Sequence, residues 1–246
     1  QKELIEITII NPDLLSYTKD IINKKIDEIM TLKCSRNQAI NFIKGYPIYL
    51  KKGMDDVNQK IASLEQLGYT NHQARYIIIA APFVCNMQLS DIKYKLKELE
   101  ALGFNEEQAL KMTALFPHLF NISAKTIRTK MNELIAFNLD IDHVITFLSK
   151  NPSLILQDTK QIKQKLDFYG ISNMYNAILV NPKYLNQDIE TSYARYMYFY
   201  DQNIIINDDT CQRIFIPKQE FEETYKVTDE DLKKQYDYYA THEKIK

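Results

Sequence analysis

The 246-residue sequence predicts an all-α fold, an α-solenoid of about six to seven repeats, and three observations predict it. The seven prolines, Pro12, Pro47, Pro82, Pro117, Pro152, Pro182 and Pro217, follow one another at intervals of 35, 35, 35, 35, 30 and 35 residues. Scattered loop prolines have no reason to keep a period, whereas a supersecondary unit stacked on copies of itself must keep one. Polar residues suited to helix starts recur in the same register, and so do apolar residues spaced four and three apart, which share one face of a helix. Each repeat is expected to hold two α-helices and a single 3₁₀ turn. The repeats form one domain over residues 1–246, closed by a C-terminal cap at about 218–246.

Numbered from its proline, each unit begins upstream with a short helix whose start is marked by Ser35, Thr70, Asn105 or Asp140. Gln38, Gln73 and Gln108 stand three residues after the first three, the capping-box arrangement that satisfies free N–H groups at a helix start. Ser172 is expected to take this part in the shortened unit. Phe42/Ile43, Ile77/Ile78, Met112 and Phe147/Leu148 face the core, and the proline ends the helix by disfavouring helical geometry in the residue before it.

Apolar pairs follow each of the first six prolines at +2 and +3: Leu14/Leu15, Tyr49/Leu50, Val84/Cys85, Leu119/Phe120, Leu154/Ile155 and Tyr184/Leu185. The stretch is too short for an α-helix, which predicts the 3₁₀ turn. The next cap comes at +6, as Thr18, Gly53, Ser123, Asp158 and Asp188, with Ser90 displaced by two. The second helix then places +10, +14 and +17 in the core: Ile22, Ile26, Ile29; Val57, Ile61, Leu64; Ile92, Leu96, Leu99; Ile127, Met131, Leu134; Ile162, Leu166, Tyr169. The sixth unit keeps Tyr196 and Phe199 but has Ser192 at +10.

At +21 Gly68, Gly103, Asn138 and Asn203 are the residue types that most readily take the left-handed geometry of a helix end. Gly170 arrives three residues early, so the fifth unit is expected to lose about a turn of its second helix, and two more residues are missing from the next short helix. After Pro217, Lys218, Gln219 and Glu220 replace the apolar pair. A last helix, Thr228 to about Tyr239, opens on a cap and reads as a polar end cap, which a solenoid needs.

Composition excludes several classes of function. No apolar run is long enough to span a membrane. Cys34, Cys85 and Cys211 are too far apart for a disulfide framework or zinc cluster, and Cys85 sits on a core position. The five glycines form no phosphate loop, and His72, His118, His143 and His242 keep no ligand spacing. Asp208/Asp209 and Glu222/Glu223 lack partners for two-metal chemistry. No catalytic residue, metal or cofactor is expected. Gln1 is not a native start, which leaves room for a targeting segment upstream.

The repeat of about 35 residues, with short helix, proline, apolar pair and long helix ending in Leu-Gly or its equivalent, resembles that of the mTERF (mitochondrial transcription termination factor) family. The segments LGFNEEQALKMTALFPHLF and FLSKNPSLILQDTKQIKQKLDFYGI carry the resemblance most clearly. It covers essentially the whole chain. It implies a left-handed superhelix of three-helix units with a concave basic surface and a role in organellar gene expression. That role includes transcription termination or regulation, RNA splicing and ribosome assembly. The implied partners are double-stranded DNA or RNA, or a protein such as an RNA methyltransferase or ribosomal component. A monomer is expected, in a mitochondrion or other organelle if the source is eukaryotic and in the cytoplasm if it is bacterial.

Charge is nearly balanced overall but uneven: residues 201–246 carry a net −4 and the remainder a net +3. Two basic sets recur. Lys25, Lys60, Lys95, Lys130, Lys165 and Arg195 stand at +13, roughly 70° from the centre of the core stripe. A long basic side chain at that edge either buries its stem while its head caps carbonyls or pairs with a carboxylate, or it contributes to a ladder of charge for a sugar–phosphate backbone. The structural role is favoured. Lys93, Arg128 and Lys163 at +11, with Lys125 and Lys160 at +8, are better exposed and read as an electrostatic footprint or as an ordinary solvated face. The aromatic run SYARYMYFY (192–200) is assigned to packing rather than base stacking. Two functions stay open: a nucleic-acid-binding module, and a scaffold that recruits a protein partner through its polar C-terminal end.

Overall fold

A computed structural model describes residues 17–137, 139–172 and 174–242, and every regular element among them is helical. The expectations for Pro12, Leu14, Leu15 and Asn138 fall outside the described residues. The chain divides into two compact units, one ending at Ile127 and one beginning at Arg128.

The first unit contains α1 (Lys19–Met30), α2 (Arg36–Gly45), α3 (Tyr49–Lys52), α4 (Met54–Glu65), α5 (Asn71–Ala80), a 3₁₀ turn (Pro82–Asn86), α6 (Leu89–Ala101), α7 (Glu106–Leu115) and a 3₁₀ turn (Pro117–Asn121). Helix α8 (Ala124–Ile135) carries the division. The second unit continues with α9 (Ile141–Lys150), a 3₁₀ turn (Pro152–Leu156), α10 (Thr159–Ile171), α11 (Tyr175–Val180), a 3₁₀ turn (Pro182–Asn186) and α12 (Ile189–Asp201). It closes with α13 (Gln212–Phe215), α14 (Lys218–Tyr225), α15 (Asp229–Gln235) and α16 (Tyr238–His242).

Helix starts follow the side chains. Ser35, Thr70 and Asn105 each accept the N–H of the glutamine three residues on, and that glutamine accepts the cap's own N–H, so both free donors are satisfied. Asp140, Asp158 and Asp188 cap α9, α10 and α12 in the same way from one side. Helix ends follow the backbone: Gly68 and Gly103 have φ of 101° and 103°, and Asn203 has φ of 56°. Lys33, at the equivalent position of the first repeat, takes φ of 65° without being a favoured residue type.

Every +10, +14 and +17 residue of the first five repeats is buried, at about 1.5–3 kcal/mol for each large apolar side chain. In the first unit α2 packs on α5 and α5 on α7, with Phe42, Ile77, Ile78 and Val84 fully enclosed. In the second unit α9 packs on α11, and α12 gathers α13, α15 and α16 around it.

Six local expectations need correction. The stretch after Pro47 is one turn of α-helix, because Gly53 at φ 77° lets its N–H close back on Tyr49 O (2.7 Å). The cap of α6 is Gln88, in register, and Ser90 lies inside the helix. Asp91 accepts the Gln88 N–H (3.2 Å), so a short polar cap is not needed. Gly170 does not end α10, which runs through it to Ile171, since glycine accepts helical as well as left-handed backbone. The shortening falls instead on α11, six residues long where its equivalents have ten.

Ser172 is buried and does not cap α11. Asp208, from the segment after α12, accepts from Ala177 N (2.8 Å) and Asn176 Nδ2 (2.8 Å) in its place. Lastly, the C-terminal helix stops at Gln235 and a further short helix begins at Tyr238. Tyr196, expected in the core, is half-buried with its ring against Phe168 (5.7 Å between centroids).

Candidate nucleic-acid interface

The +13 residues come from the edge of each second helix, where the stem is covered and the head reaches the following repeat. In the first unit Lys60 Nζ donates to Met87 O (2.6 Å) and Lys95 Nζ to Ile122 O (2.6 Å). In the second, Lys130 Nζ donates to Gln157 O (2.8 Å) and Lys165 Nζ to Leu185 O (2.7 Å). The separation is 27 residues in the first three cases. Each acceptor is a carbonyl at or just past the end of a 3₁₀ turn, where it has no partner within the helix. Lys95, Lys130, Lys165 and Arg195 are buried.

Carboxylates complete the arrangement. Glu28, Glu98 and Glu133 recur at +16 and pair with Lys25 (2.9 Å), Lys95 (2.6 Å) and Lys130 (2.9 Å). Thr159 Oγ1 donates to Glu133, and that hydroxyl together with Lys130 holds the Glu133 carboxyl below the ordinary glutamate range. Lys165 has no such carboxylate at +16, where Phe168 stands, and burial holds its ammonium below the ordinary lysine range. Arg195 Nε and Nη2 hold Asp229 in two parallel bonds (2.7 and 2.8 Å), and Nη1 donates to Ile214 O (2.7 Å) and Ile216 O (2.8 Å). Its guanidinium lies 4.0 Å from the Phe221 ring centroid. The +13 residues thus act as struts within each unit. The +16 glutamates were legible in the sequence as a column, but nothing there says which carbonyl a lysine reaches.

The second basic set is exposed. Lys93 and Lys125 lie on the first unit, and Arg128, Lys160 and Lys163 on the second. Lys163 pairs with Asp167 (2.6 Å) one turn on, whereas Lys93, Lys125, Arg128 and Lys160 have no ion-pair partner among the described residues. On their helices +8 and +11 lie roughly 95–155° from the core stripe, so the heads stand in water.

Of the histidines, His72 and His118 are exposed, and half-buried His143 contacts Asp140 (Nδ1–Oδ2 2.7 Å), the cap of its own helix. Cys85 is buried and its thiol is pushed up to about 12 by burial, the opposite of what a nucleophile requires. No described helix is long and apolar enough to cross a membrane.

The mTERF family matches residues 48–221, most of the chain and all of the central repeats. The chain belongs to the mTERF family. No individual curated protein matches it. As an mTERF protein it falls in a family whose members are helical-repeat proteins, generally non-catalytic and suited to binding nucleic acid. The exposed columns at +8 and +11 lie inside the matched region.

Proposed function

We propose that this mTERF protein is a non-catalytic nucleic-acid-binding module that regulates transcription or RNA and ribosome metabolism in an organelle. Lys93 and Lys125 on the first unit and Arg128, Lys160 and Lys163 on the second contact phosphates. The observation that carries the reading is the uncompensated exposed charge of Lys93, Lys125, Arg128 and Lys160, in a chain whose other recurrent cations are engaged with carbonyls and carboxylates. A cation held that way has already exchanged its water for protein oxygen. A free one can exchange condensed counterions for phosphate.

The test is a filter or anisotropy assay of the full chain with DNA and RNA over a salt series. Affinity should fall steeply with salt, and Arg128→Ala with Lys160→Ala should flatten the log–log slope by roughly one unit per contact while the helical signal and melting temperature stay put. An unchanged slope in the folded double variant refutes these contacts. A wild type that binds neither DNA nor RNA at low salt leaves recruitment of a protein partner as the function.

A further inference from the structure

One column of the repeat varies where its neighbours recur. At +12 the second to fifth repeats carry Gln59, Tyr94, Thr129 and Gln164, all exposed, with Tyr94 67% accessible. None of these four side chains has a hydrogen-bond or ring partner among the described residues. Position +12 lies roughly 165° from the core stripe, between the +8/+11 face, which is basic in the third to fifth repeats and holds Asp55 and Asn58 in the second, and the +9/+13/+16 face on the other side. The column ends in the sixth repeat, where Ala194 is buried and +11 is Tyr193 rather than a base.

Where +16 is not glutamate, the latter face opens into a groove between successive repeats of one unit. In the first unit a groove of about 340 Å³ is lined by Gln59, Lys60, Ser63, Asn86 and Gln88. In the second a groove of about 480 Å³ is lined by Gln161, Gln164, Lys165 and Asn186 at the corresponding register. Amides edge both, beside Lys52, Lys60 and Asp56 in the first groove and beside Lys165, Asp158, Asp188 and Glu190 in the second.

Amides supply a paired donor and acceptor that match the edge of a base, and an exposed tyrosine supplies a face on which any unpaired base stacks. A base held in a duplex offers neither its face to Tyr94 nor its Watson–Crick edge to a groove. The geometry points to base-reading positions at +12 within each unit, Gln59 and Tyr94 in the first and Gln164 in the second, that take unpaired nucleobases of single-stranded RNA or DNA, with phosphates on the basic +8/+11 residues of the same unit. Tyr94 stacks, and the amides of Gln59 and Gln164 hydrogen-bond base edges in their grooves. This inference rests on the nucleic-acid reading above and adds the strandedness of the ligand and the residues that read it.

The experiment compares short labelled oligo(dA), oligo(dT), oligo(rA) and oligo(rU) with the dA·dT duplex, all against the full chain at one low salt concentration. Single strands should bind more tightly than the duplex. Tyr94→Ala should weaken single-strand binding roughly 5- to 150-fold, the worth of one stacked base, while Tyr94→Phe stays near wild type. Gln164→Ala should change the ratio of purine to pyrimidine affinity. The RNA and DNA arms separate the two sources of unpaired base. Duplex binding as tight as single-strand binding, or Tyr94→Ala within about twofold of wild type, overturns the base-reading positions while salt-dependent phosphate binding stands. Failure of every oligonucleotide to bind overturns both readings. Unaltered circular dichroism and melting temperature in each variant ensure that the loss is one of contact.

Discussion

Arg195→Met is the sharpest test of the strut assignment. Arg195 is 1% accessible and makes four hydrogen bonds, two to the Asp229 carboxylate and two to the carbonyls of Ile214 and Ile216, with Phe221 against its guanidinium. Methionine fills much of the volume but removes every donor. Asp229, 7% accessible, is left as a buried charge without its counterion; Ile216 O loses its partner and Ile214 O keeps only Gln187 Nε2 (3.2 Å). Breaking a buried pair from one side costs about 3–5 kcal/mol, and the unpaired Ile216 carbonyl adds to the loss even if the carboxylate protonates. Adding Asp229→Leu removes the stranded charge but not the unpaired Ile216 carbonyl, so the double variant should recover at least half the loss.

Urea denaturation followed by circular dichroism gives the free energies. Hydrogen exchange over residues 189–235 places the loss in the second unit. The double-mutant cycle should show strong coupling. A single-variant loss below about 1 kcal/mol, or simple additivity, would refute the claim that this pair locks α15 onto α12.

Three further outcomes follow from the same geometry. Leu134→Ala, at a site 1% accessible in the core stripe of α8, should cost about 2–5 kcal/mol in a denaturant melt; a cost well under that would remove Leu134 from the core. Gly68→Ala should destabilise by about 1–2 kcal/mol, because φ is 101° and the new Cβ would stand 3.2 Å from Leu110 Cδ1; a neutral or stabilising effect would mean the turn relaxes. Glu133 has its carboxyl lowered by the Thr159 hydroxyl and Lys130, so its contribution is present above the ordinary value of 4.5 and is lost as pH falls through the lower folded value. Glu133→Gln should therefore lower the melting temperature at pH 7 and narrow the gap to wild type as pH drops below 4; a gap that stays constant with pH would contradict the linkage.

The repeat, the helix caps and the core stripe were legible in the sequence because each is a local demand. A proline forbids helical geometry one residue away, Thr70 and Gln73 satisfy each other's N–H groups three residues apart, and Ile92, Leu96 and Leu99 share a face by helical period alone. Local rules also fail in identifiable ways. Gly170 is permissive rather than directive, so helix α10 passes through it and the missing residues come out of α11. Ser172 has the right chemistry for a cap, yet Asp208, 31 residues beyond Ala177, takes that role.

The same division governs the basic residues. Sequence periodicity alone put Lys95 and Lys130 at the edge of the core stripe and Lys93 and Arg128 further round the helix. It left the +13 column divided between strut and ladder, because the deciding partner is a carbonyl 27 residues away. Only tertiary packing brings Ile122 O to Lys95 and Gln157 O to Lys130, and only packing opens the grooves beside Gln59 and Gln164 while Glu98 and Glu133 fill the +16 position of the two repeats between. Helical period specifies the direction in which a side chain leaves its own helix. What it meets there is decided by the neighbouring repeat, whose distance along the chain no local pattern encodes.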